Sequence, residues 1–370
     1  MFKFLNLQPE IFAIDINDSS IKVVKLEKKK QGFLLVSYNE LAISPGIVNE
    51  GVIANQEALA ALIQRACAKI QGKKLATKYV ILALPEEKSF SQIIQMPAMT
   101  NQELQKSLRF EAENYIPLPI DKVYLDFQVV LPHKRGADAK HLDVLTNVMP
   151  KAIVDSYVAC AKAAGFIPCV LEVESQAIAR ALIKNSRSET PVAIIDLGKD
   201  NTSFIIFSDT SVRFTTSVPF SSKQLTAAIA DRLKLKINKA EELKVAHGFL
   251  AKKNHKENKE VMAAMEPLLS DLAEKVKKYI SFYQGHASHD YFPSDDNNIG
   301  KIILCGGGAN LKGLPKFLSQ MLGIPVELGD PFINIVPCRE GQKCPIIYQK
   351  ALSYSTAFGL ALRGANEDSL

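Results

Sequence analysis

The sequence predicts an α/β protein built from a duplicated domain, with a small α+β unit inserted into the first copy. Three observations predict it. The stretches AIDINDSSIKVVKL (13–26) and IIDLGKDNTSFIIF (194–207) share one pattern: apolar strand, Asp, turn, hydroxyl, returning β-branched strand. Internal similarity of this kind is the footprint of a repeated structural unit. Strand-like runs and helical periodicity alternate around both stretches. After Pro85 the pattern changes, and roughly residues 85–165 read as helix–strand–strand–helix.

The elements follow in order. IFAID, IKVVKLE and GFLLVSYNELA form a meander with Lys28–Lys30 at a hairpin tip. Asn55 caps a helix whose apolar residues Leu59, Leu62, Ile63, Ala66 and Ile70 recur at helical spacing. KYVILALP is a short continuous apolar run, the mark of a buried strand. Thr100 and Glu103 form a capping box for QELQKSLRFEAENYI, which stops before Pro117 and Pro119. YLDFQVVLP and HLDVLTNVMP are strands around a basic, Gly-containing turn. KAIVDSYVACAKAAG is a helix closed by Gly165. CVLEVESQAIARALIKN gives strand then helix, and SRSET breaks the chain before the second hairpin. Asn238 is expected to cap the helix in INKAEELK. A long helix is expected over 264–284. A polar loop, HASHDYFPSDDNN, then leads to KIILCGGGANLKGLPKFLSQML, read as strand, triple glycine and helix. A last amphipathic helix, 347–362, precedes the polar tail.

Composition narrows the function classes. With 47% hydrophobic and 23% charged residues the chain is an ordinary globular protein. No apolar run approaches the roughly 18 residues that span a bilayer, and the first residues lack the apolar core of a secretory signal, so a cytoplasmic location is expected. The six cysteines form no C-x-x-C pair, which argues against a zinc or redox motif. A net charge of +6 without aromatic interleaving gives no nucleic-acid surface. H-A-S-H-D (286–290) has no matching third cluster for a metal, and no Gly-x-Ser-x-Gly elbow is present.

Three constellations carry chemistry. Asp15 and Asp196 each end a buried strand at the repeated turn. Either each caps its own turn, or the two hold one Mg²⁺ that offsets the charge of a polyphosphate. Gly306-Gly307-Gly308-Ala309, between a strand and a helix, lets backbone approach a flat ring or a phosphate. Glu241 and Lys244, three apart on one helix, share a face. They either grip a ribose and a purine edge, or are a capping-box Glu and a solvated Lys.

Phosphate turn, inserted unit, second turn, A-E-x-x-K helix and G-G-G-A-x-L-x-G-L turn occur in that order, and the order resembles the actin-like ATPase superfamily. Within it the closest likeness is to the type IV pilus assembly PilM family, carried by LRFEAENYIPLPIDKVYLDF, AAGFIPCVLEVESQAIARAL, VPFSSKQLTAAIA, NKAEELK, GGGANLKGL and STAFGLALRG. The resemblance covers nearly the whole chain. It implies a bilobed actin-like fold of duplicated ribonuclease-H-like domains. Residues 1–84, 166–190 and 335–370 would form lobe 1, 85–165 the inserted subdomain and 191–334 lobe 2.

It also implies ATP and Mg²⁺ in an interdomain cleft. Asp15, Ser19, Ser20 and Lys22 would face the phosphates from one lobe, and Asp196, Gly198 and Thr202 from the other. Lys223 would lie beside the phosphates, Glu241 and Lys244 would clamp the nucleoside, and Gly306 to Ala309 would back the adenosine. Glu174 is the one candidate for orienting a water, beside Asp196 as the catalytic carboxylate. Asn17 and Asp18 depart from the family, which favours Gly at the first of these positions. Asn17 is expected to take a left-handed turn conformation in its place, while Asp18 adds a carboxylate near the phosphates. Ser221-Ser222 likewise replaces a Gly-containing pair.

The implied function is an ATP-binding scaffold of the type IV pilus inner-membrane platform, with slow or absent hydrolysis. Its partner would be the cytoplasmic N-terminal peptide of PilN, held in a groove between the first subdomain and the inserted one. Other platform proteins, the motor ATPase and self-association are further contacts, and the membrane would be reached only through partners. The cell-division protein FtsA shares the architecture but ends in a membrane-seeking amphipathic helix, which RGANEDSL does not resemble. A small-molecule kinase of the same superfamily, or a scaffold of a related pilus or type II secretion platform, are the alternatives.

Overall fold

The structure, a computed structural model, describes residues 9–130, 141–250, 256–286, 298–337 and 346–366. The basic turn at 131–140, most of H-A-S-H-D, Cys338, Cys344 and the last four residues lie outside that set. The chain divides into two compact units. One comprises Met1–Ser186, Pro331–Ile347 and Tyr354–Leu370, and the other Arg187–Asp330 and Tyr348–Ser353.

In the first unit, β1 (Phe12–Ile16), β2 (Ser20–Lys29) and β3 (Gly32–Ala42) form the expected meander. The short hairpin β4 (Val48–Asn49) and β5 (Val52–Ile53) leads to α1 (Gln56–Ala68), where Asn55 Oδ1 accepts the Ala58 amide as predicted. Next come β6 (Gln71–Gly72), β7 (Tyr79–Leu84) and β8 (Phe90–Pro97). β8 is a strand that the sequence reading missed.

The capping box of Thr100 and Glu103 opens α2 (Asn101–Glu113). β9 (Val123–Val130), β10 (His141–Pro150) and α3 (Lys151–Ala163) follow, then β11 (Ile167–Val173) and α4 (Glu174–Leu182). The inserted unit is a sheet ordered β8-β10-β9 with its own small core of Ile94, Met96, Leu104, Leu108, Ala112 and Val144. α3 does not belong to that core. Its Val154, Tyr157 and Cys160 pack with α1 in the main core, so the inserted layer ends with β10.

The second unit opens with β12 (Ser188–Leu197), β13 (Thr202–Asp209) and β14 (Ser211–Val218). α5 (Ser222–Leu233), α6 (Ile237–His247) and α7 (Lys256–His286) follow. α7 begins eight residues before the expected start and carries Pro267 inside it. α6 starts one residue before Asn238, so Asn238 is not its cap, and its N-cap Lys236 makes no side-chain capping bond. β15 (Lys301–Cys305), α8 (Leu314–Leu322) and β16 (Val326–Leu328) complete this part. The chain then gives β17 (Ile335–Val336), the short α9 (Tyr348–Ala351) and α10 (Ser355–Ala365). One helix was expected over 347–362; a 3₁₀ turn at Leu352–Tyr354 divides it.

The sheet orders show the duplication directly. In the first unit β3-β2-β1 is antiparallel, and β7 then β11 add in parallel. In the second, β14-β13-β12 is antiparallel, and β15 then β16 add in parallel. The central strands are buried on both faces, as Phe12 to Ile16 and Val192 to Ile195 show, which is why their sequences run apolar without alternation. α4 and α10 cross so closely that a Cβ on Gly359 would lie 1.7 Å from the Ala177 carbonyl oxygen.

Candidate functional site

The repeated turn of the first unit joins β1 to β2, and its register sets Asp15 opposite Lys22. Both are buried, and Lys22 Nζ lies 3.4 Å from Asp15 Oδ2. Burial pushes the Asp15 carboxyl above its usual range, against the opposing charge and hydrogen bond of Lys22. The other oxygen, Oδ1, is buried and has no hydrogen-bond partner among the described residues.

Asn17 corrects the sequence reading. It is not left-handed; the described non-glycine residues with positive φ are Glu50, Asn185, Ser186, Asp209 and Lys234. Instead its Oδ1 accepts the amides of Ser19 at 3.0 Å and Ser20 at 2.8 Å, with the Ser20 hydroxyl at 3.3 Å. This is an Asx turn, the short-range alternative to a glycine.

Asp18 turns to the β4–β5 hairpin. It accepts the Glu50 amide at 2.6 Å and the Gly51 amide at 3.0 Å, where both residues have positive φ. Two successive left-handed amides make an anion nest, and Asp18 fills it. The Gly51 carbonyl in turn accepts the Tyr157 hydroxyl at 3.1 Å. Burial, then the charges of Glu174, Glu87, Asp18 and Asp15, hold that phenol well above its usual pKa. Glu174 itself is buried as the first residue of α4 and accepts the Glu86 amide at 3.3 Å. Glu86 Oε2 accepts the Ser175 amide at 3.1 Å. The pair ties the end of β7 to the start of α4, a structural duty that the water-orienting reading did not foresee.

In the second unit the matching turn is held from outside. α5 begins with a Ser221–Gln224 capping box, and its first amides, Ser222 and Lys223, donate to the carbonyls of Gly198 and Lys199 at 3.1 Å each. Lys223 extends into solvent, 3.9 Å from Asp200. Thr202 is fully buried, with no partner for its hydroxyl oxygen among the described residues.

Gly306 has φ 80° and ψ 167°, and a Cβ there would lie 2.3 Å from Asp196 Oδ1. One on Gly308 would lie 2.9 Å from the Leu197 carbonyl, whereas Gly307 has open space. Two of the three glycines therefore serve the chain's own packing against β12. Ala309 is buried in the core and presents no side chain to a ligand.

Lys244 is also placed differently from the expectation. Its buried ammonium donates to the Ser222 carbonyl at 3.1 Å, the Ser222 hydroxyl at 2.9 Å and the Thr226 hydroxyl at 2.8 Å, and it pairs with Glu241 at 2.8 Å. It fastens α6 to α5. Glu241 remains half-exposed and accepts the Thr226 hydroxyl as well. Burial works to raise its pKa, but the Lys244 and Thr226 hydrogen bonds and the charges of Lys244 and Lys199 outweigh it and hold the carboxyl below its usual range. Its outer side lines an open pocket of about 600 Å³ with Asn238, Val245 and Lys312.

Among the described residues no three His, Cys, Asp or Glu side chains gather into a metal site. Mg²⁺ needs only one or two carboxylates when phosphate and water supply the rest. Taken unit by unit, the unpartnered Asp15 Oδ1 of the first is an acceptor suited to a cation, and in the second the Thr202 hydroxyl is a donor suited to a phosphate oxygen, with the open pocket beside Glu241 wide enough for a polar ligand.

A second feature lies wholly in the first unit. A groove of about 820 Å³ is lined by β9, α3, β11 and α4, with Leu84, Leu125, Phe127, Val158 and Leu171 among its apolar residues. β9 and β11 are the edge strands of their sheets. At one side Glu172 is buried beneath two guanidiniums, with Arg180 bidentate at 2.6 Å and Arg363 at 2.8 Å. Tyr124 donates to Asp155 at 3.1 Å within the same lining. The sequence reading named no residue of this groove, because its walls come from segments far apart in the chain, from Leu84 to Arg363.

The paired sheets and their Asp-bearing hairpins define an actin-like fold. MreB5 of Spiroplasma citri bound to ADP shares it with a TM-score of 0.52 at 14% identity, over 88% of this chain and 93% of that one. A solved PilM–PilN type IV pilus biogenesis complex matches with a TM-score of 0.78 at 26% identity, over 96% of this chain and 99% of that one. Cell division protein FtsA of Enterococcus hirae is 24% identical over 362 residues, covering 90% of this chain and 80% of FtsA. The profile of the family described as type IV pilus assembly protein PilM matches residues 13–365. The chain belongs to that family.

Proposed function

We propose that this protein is an ATP-binding scaffold of the type IV pilus inner-membrane platform, and that it docks the cytoplasmic N-terminal segment of PilN in the groove of the first unit. The observation that carries the docking half is the groove itself. Its lining mixes apolar side chains with polar ones such as Gln128, Asn147 and Gln176; it is bounded by two edge strands and flanked by fixed charges at Glu172–Arg180–Arg363 and Asp155. An extended peptide suits such a channel, because edge strands offer main-chain hydrogen bonds while alternate side chains enter apolar space. The solved relative that most strengthens the reading is a PilM–PilN complex.

The nucleotide half rests on Asp15, Lys22 and the Ser19–Ser20 turn in the first unit, and on Asp196, Gly198, Thr202, Lys223, Glu241 and Gly306–Gly308 in the second. Asp15 and Asp196 are the carboxylates that would hold Mg²⁺, and the metal would supply charge neutralisation for the phosphates. Glu241, exposed on its pocket side, would accept the ribose hydroxyls, while Lys244 sets its position. Hydrolysis is slow or absent in this reading, since Glu174 is committed to the Glu86 backbone. No helix among the described residues is long and apolar enough to cross a membrane. In this reading the protein reaches the cytoplasmic face of the inner membrane through its partner.

The test is a titration of the purified chain with the N-terminal peptide of PilN, with and without Mg–ATP. Binding that is lost on Val158→Asp supports the groove. Absence of binding under both conditions refutes the scaffold reading.

A further inference from the structure

Three donors converge on one side-chain oxygen in the first turn. The Ser19 amide, the Ser20 amide and the Ser20 hydroxyl all reach Asn17 Oδ1, at 3.0, 2.8 and 3.3 Å. Asn17 N closes the same loop on the Ser20 carbonyl at 3.0 Å. Convergent backbone amides with a hydroxyl beside them are the donor arrangement that binds an anionic oxygen. Here a neutral carboxamide oxygen of the chain itself takes that position. The neighbouring carboxylate is not the obstacle, because Asp18 is bound to the Glu50 and Gly51 amides. In the second copy the matching residue is Gly198, which has no side chain to fold back.

We propose that the Asn17 carboxamide stands in for a phosphate oxygen, so that a nucleotide must displace it before the first turn can bind. Asn17 is then the residue that sets how tightly this chain holds the phosphates. The inference rests on the nucleotide reading above and deepens it. Displacement is a rotation of the Asn17 side chain away from the turn. The Ser19 and Ser20 donors exchange a neutral acceptor for a charged one, which forms the stronger hydrogen bond. What the nucleotide gains is therefore the difference between the two acceptors rather than a whole set of bonds. Removing the internal acceptor restores the remainder, worth about three- to tenfold in affinity for roughly one net hydrogen bond.

The experiment measures dissociation constants of Mg–ATP and of adenosine for the full chain and for Asn17→Gly, Asn17→Ala and Asn17→Asp. Asn17→Gly places in the first turn the residue that the second copy carries. Asn17→Asp keeps an acceptor of the same shape, so the turn still folds, and adds a charge that opposes phosphate. The expected result is Mg–ATP binding about three- to tenfold tighter for Gly and Ala and weaker for Asp, with adenosine affinity equal in all four. The adenosine arm separates an effect on phosphate from a general loosening of the protein. Equal or weaker Mg–ATP binding by both Gly and Ala overturns the proposal while leaving the nucleotide reading intact. Absence of Mg–ATP binding in all four overturns the nucleotide reading and the proposal with it.

Discussion

Gly306→Ala tests whether the glycine turn belongs to the second unit's own packing or waits for a ligand. The residue sits at φ 80° and ψ 167°, a region open essentially to glycine alone. A side chain there costs about 1–3 kcal/mol in backbone strain. The added Cβ would also lie 2.3 Å from Asp196 Oδ1 and 2.5 Å from the Leu197 carbonyl. Relieving those contacts means moving backbone of a central strand, an overpacking cost of about 1–3 kcal/mol. Taking roughly 3 kcal/mol for both, a unit of this size should melt about 6–12 °C lower. The assay is a thermal melt followed by circular dichroism, with Gly307→Ala as the control. Gly307 has ordinary φ and nothing within 4 Å of its Cβ position, so that variant should melt with the parent. If Gly306→Ala melts within about 2 °C of the parent, the packing argument is wrong and the turn has more freedom than its contacts suggest.

Four further outcomes follow from single sites. Gly359→Ala would place a methyl 1.7 Å from the Ala177 carbonyl oxygen, so α4 and α10 must separate. We expect a loss of about 3 kcal/mol or more, and a parent-like melt would contradict it. Thr100→Ala removes the acceptor for the Glu103 amide and should cost about 1 kcal/mol, read as a lower urea midpoint. Burial pushes the Cys67 thiol up to about 12 and the Cys160 thiol to about 11, while Cys169 is exposed. Labelling with a thiol reagent at pH 8 should therefore lose one fast equivalent in Cys169→Ser and none in Cys67→Ser or Cys160→Ser. Hydrogen bonds from Lys29 and Lys73 hold Glu27 down at about 2, so its stabilisation is complete above about 4.5 and fades as pH falls toward 2. The stability gap between the parent and Glu27→Gln should close over that window; a gap independent of pH would refute the assignment.

Much of the fold was legible because its signals are local. Asn55, the Thr100–Glu103 pair and Gly165 act on neighbours within a few residues, and all three sit where the sequence puts them. The buried central strands announced themselves as apolar runs. β8 was harder to see. In FSQIIQMP only Ile94 and Met96 are buried, so the strand carries little apolar signal. Asn238 misled because a capping residue type was present, yet the helix took Ile237 as its first residue and went without a side-chain cap. The start of α7 was placed at 264, but the helix begins at Lys256 and runs through Pro267. For the candidate site, residue types and order were readable, whereas side-chain direction was not. Lys244 lies at the spacing expected of a ligand clamp, but its ammonium finds four partners on its own chain, and no one-dimensional pattern reports Ser222 and Thr226 beneath it. The one missed feature with a local signal was Asn17. Asn followed two residues later by Ser, in a tight hairpin, is the composition of an Asx turn.

The two copies of the hairpin now differ in an informative way. Each must satisfy the backbone groups of a tight turn that leaves a buried strand. The first does so with its own side chain, spending the Ser19 and Ser20 amides on Asn17. The second borrows the start of α5, spending the Gly198 and Lys199 carbonyls on helix amides that would otherwise be unpaired. What is left over is therefore opposite in kind. The first turn retains a buried carboxylate oxygen, Asp15 Oδ1, which is an acceptor suited to a cation. The second retains a buried hydroxyl on Thr202, which can donate to an anion. An unpaired buried polar atom costs about 1–3 kcal/mol, but an apolar residue in place of Asp15 would strand the buried Lys22 ammonium without its charge partner, a larger loss of about 3–5 kcal/mol. The two atoms also sit at different points of the repeated hairpin: Asp15 ends the outgoing strand β1, where its other oxygen meets Lys22, whereas Thr202 opens the returning strand β13, so each unit carries its unpaired group by a separate local route.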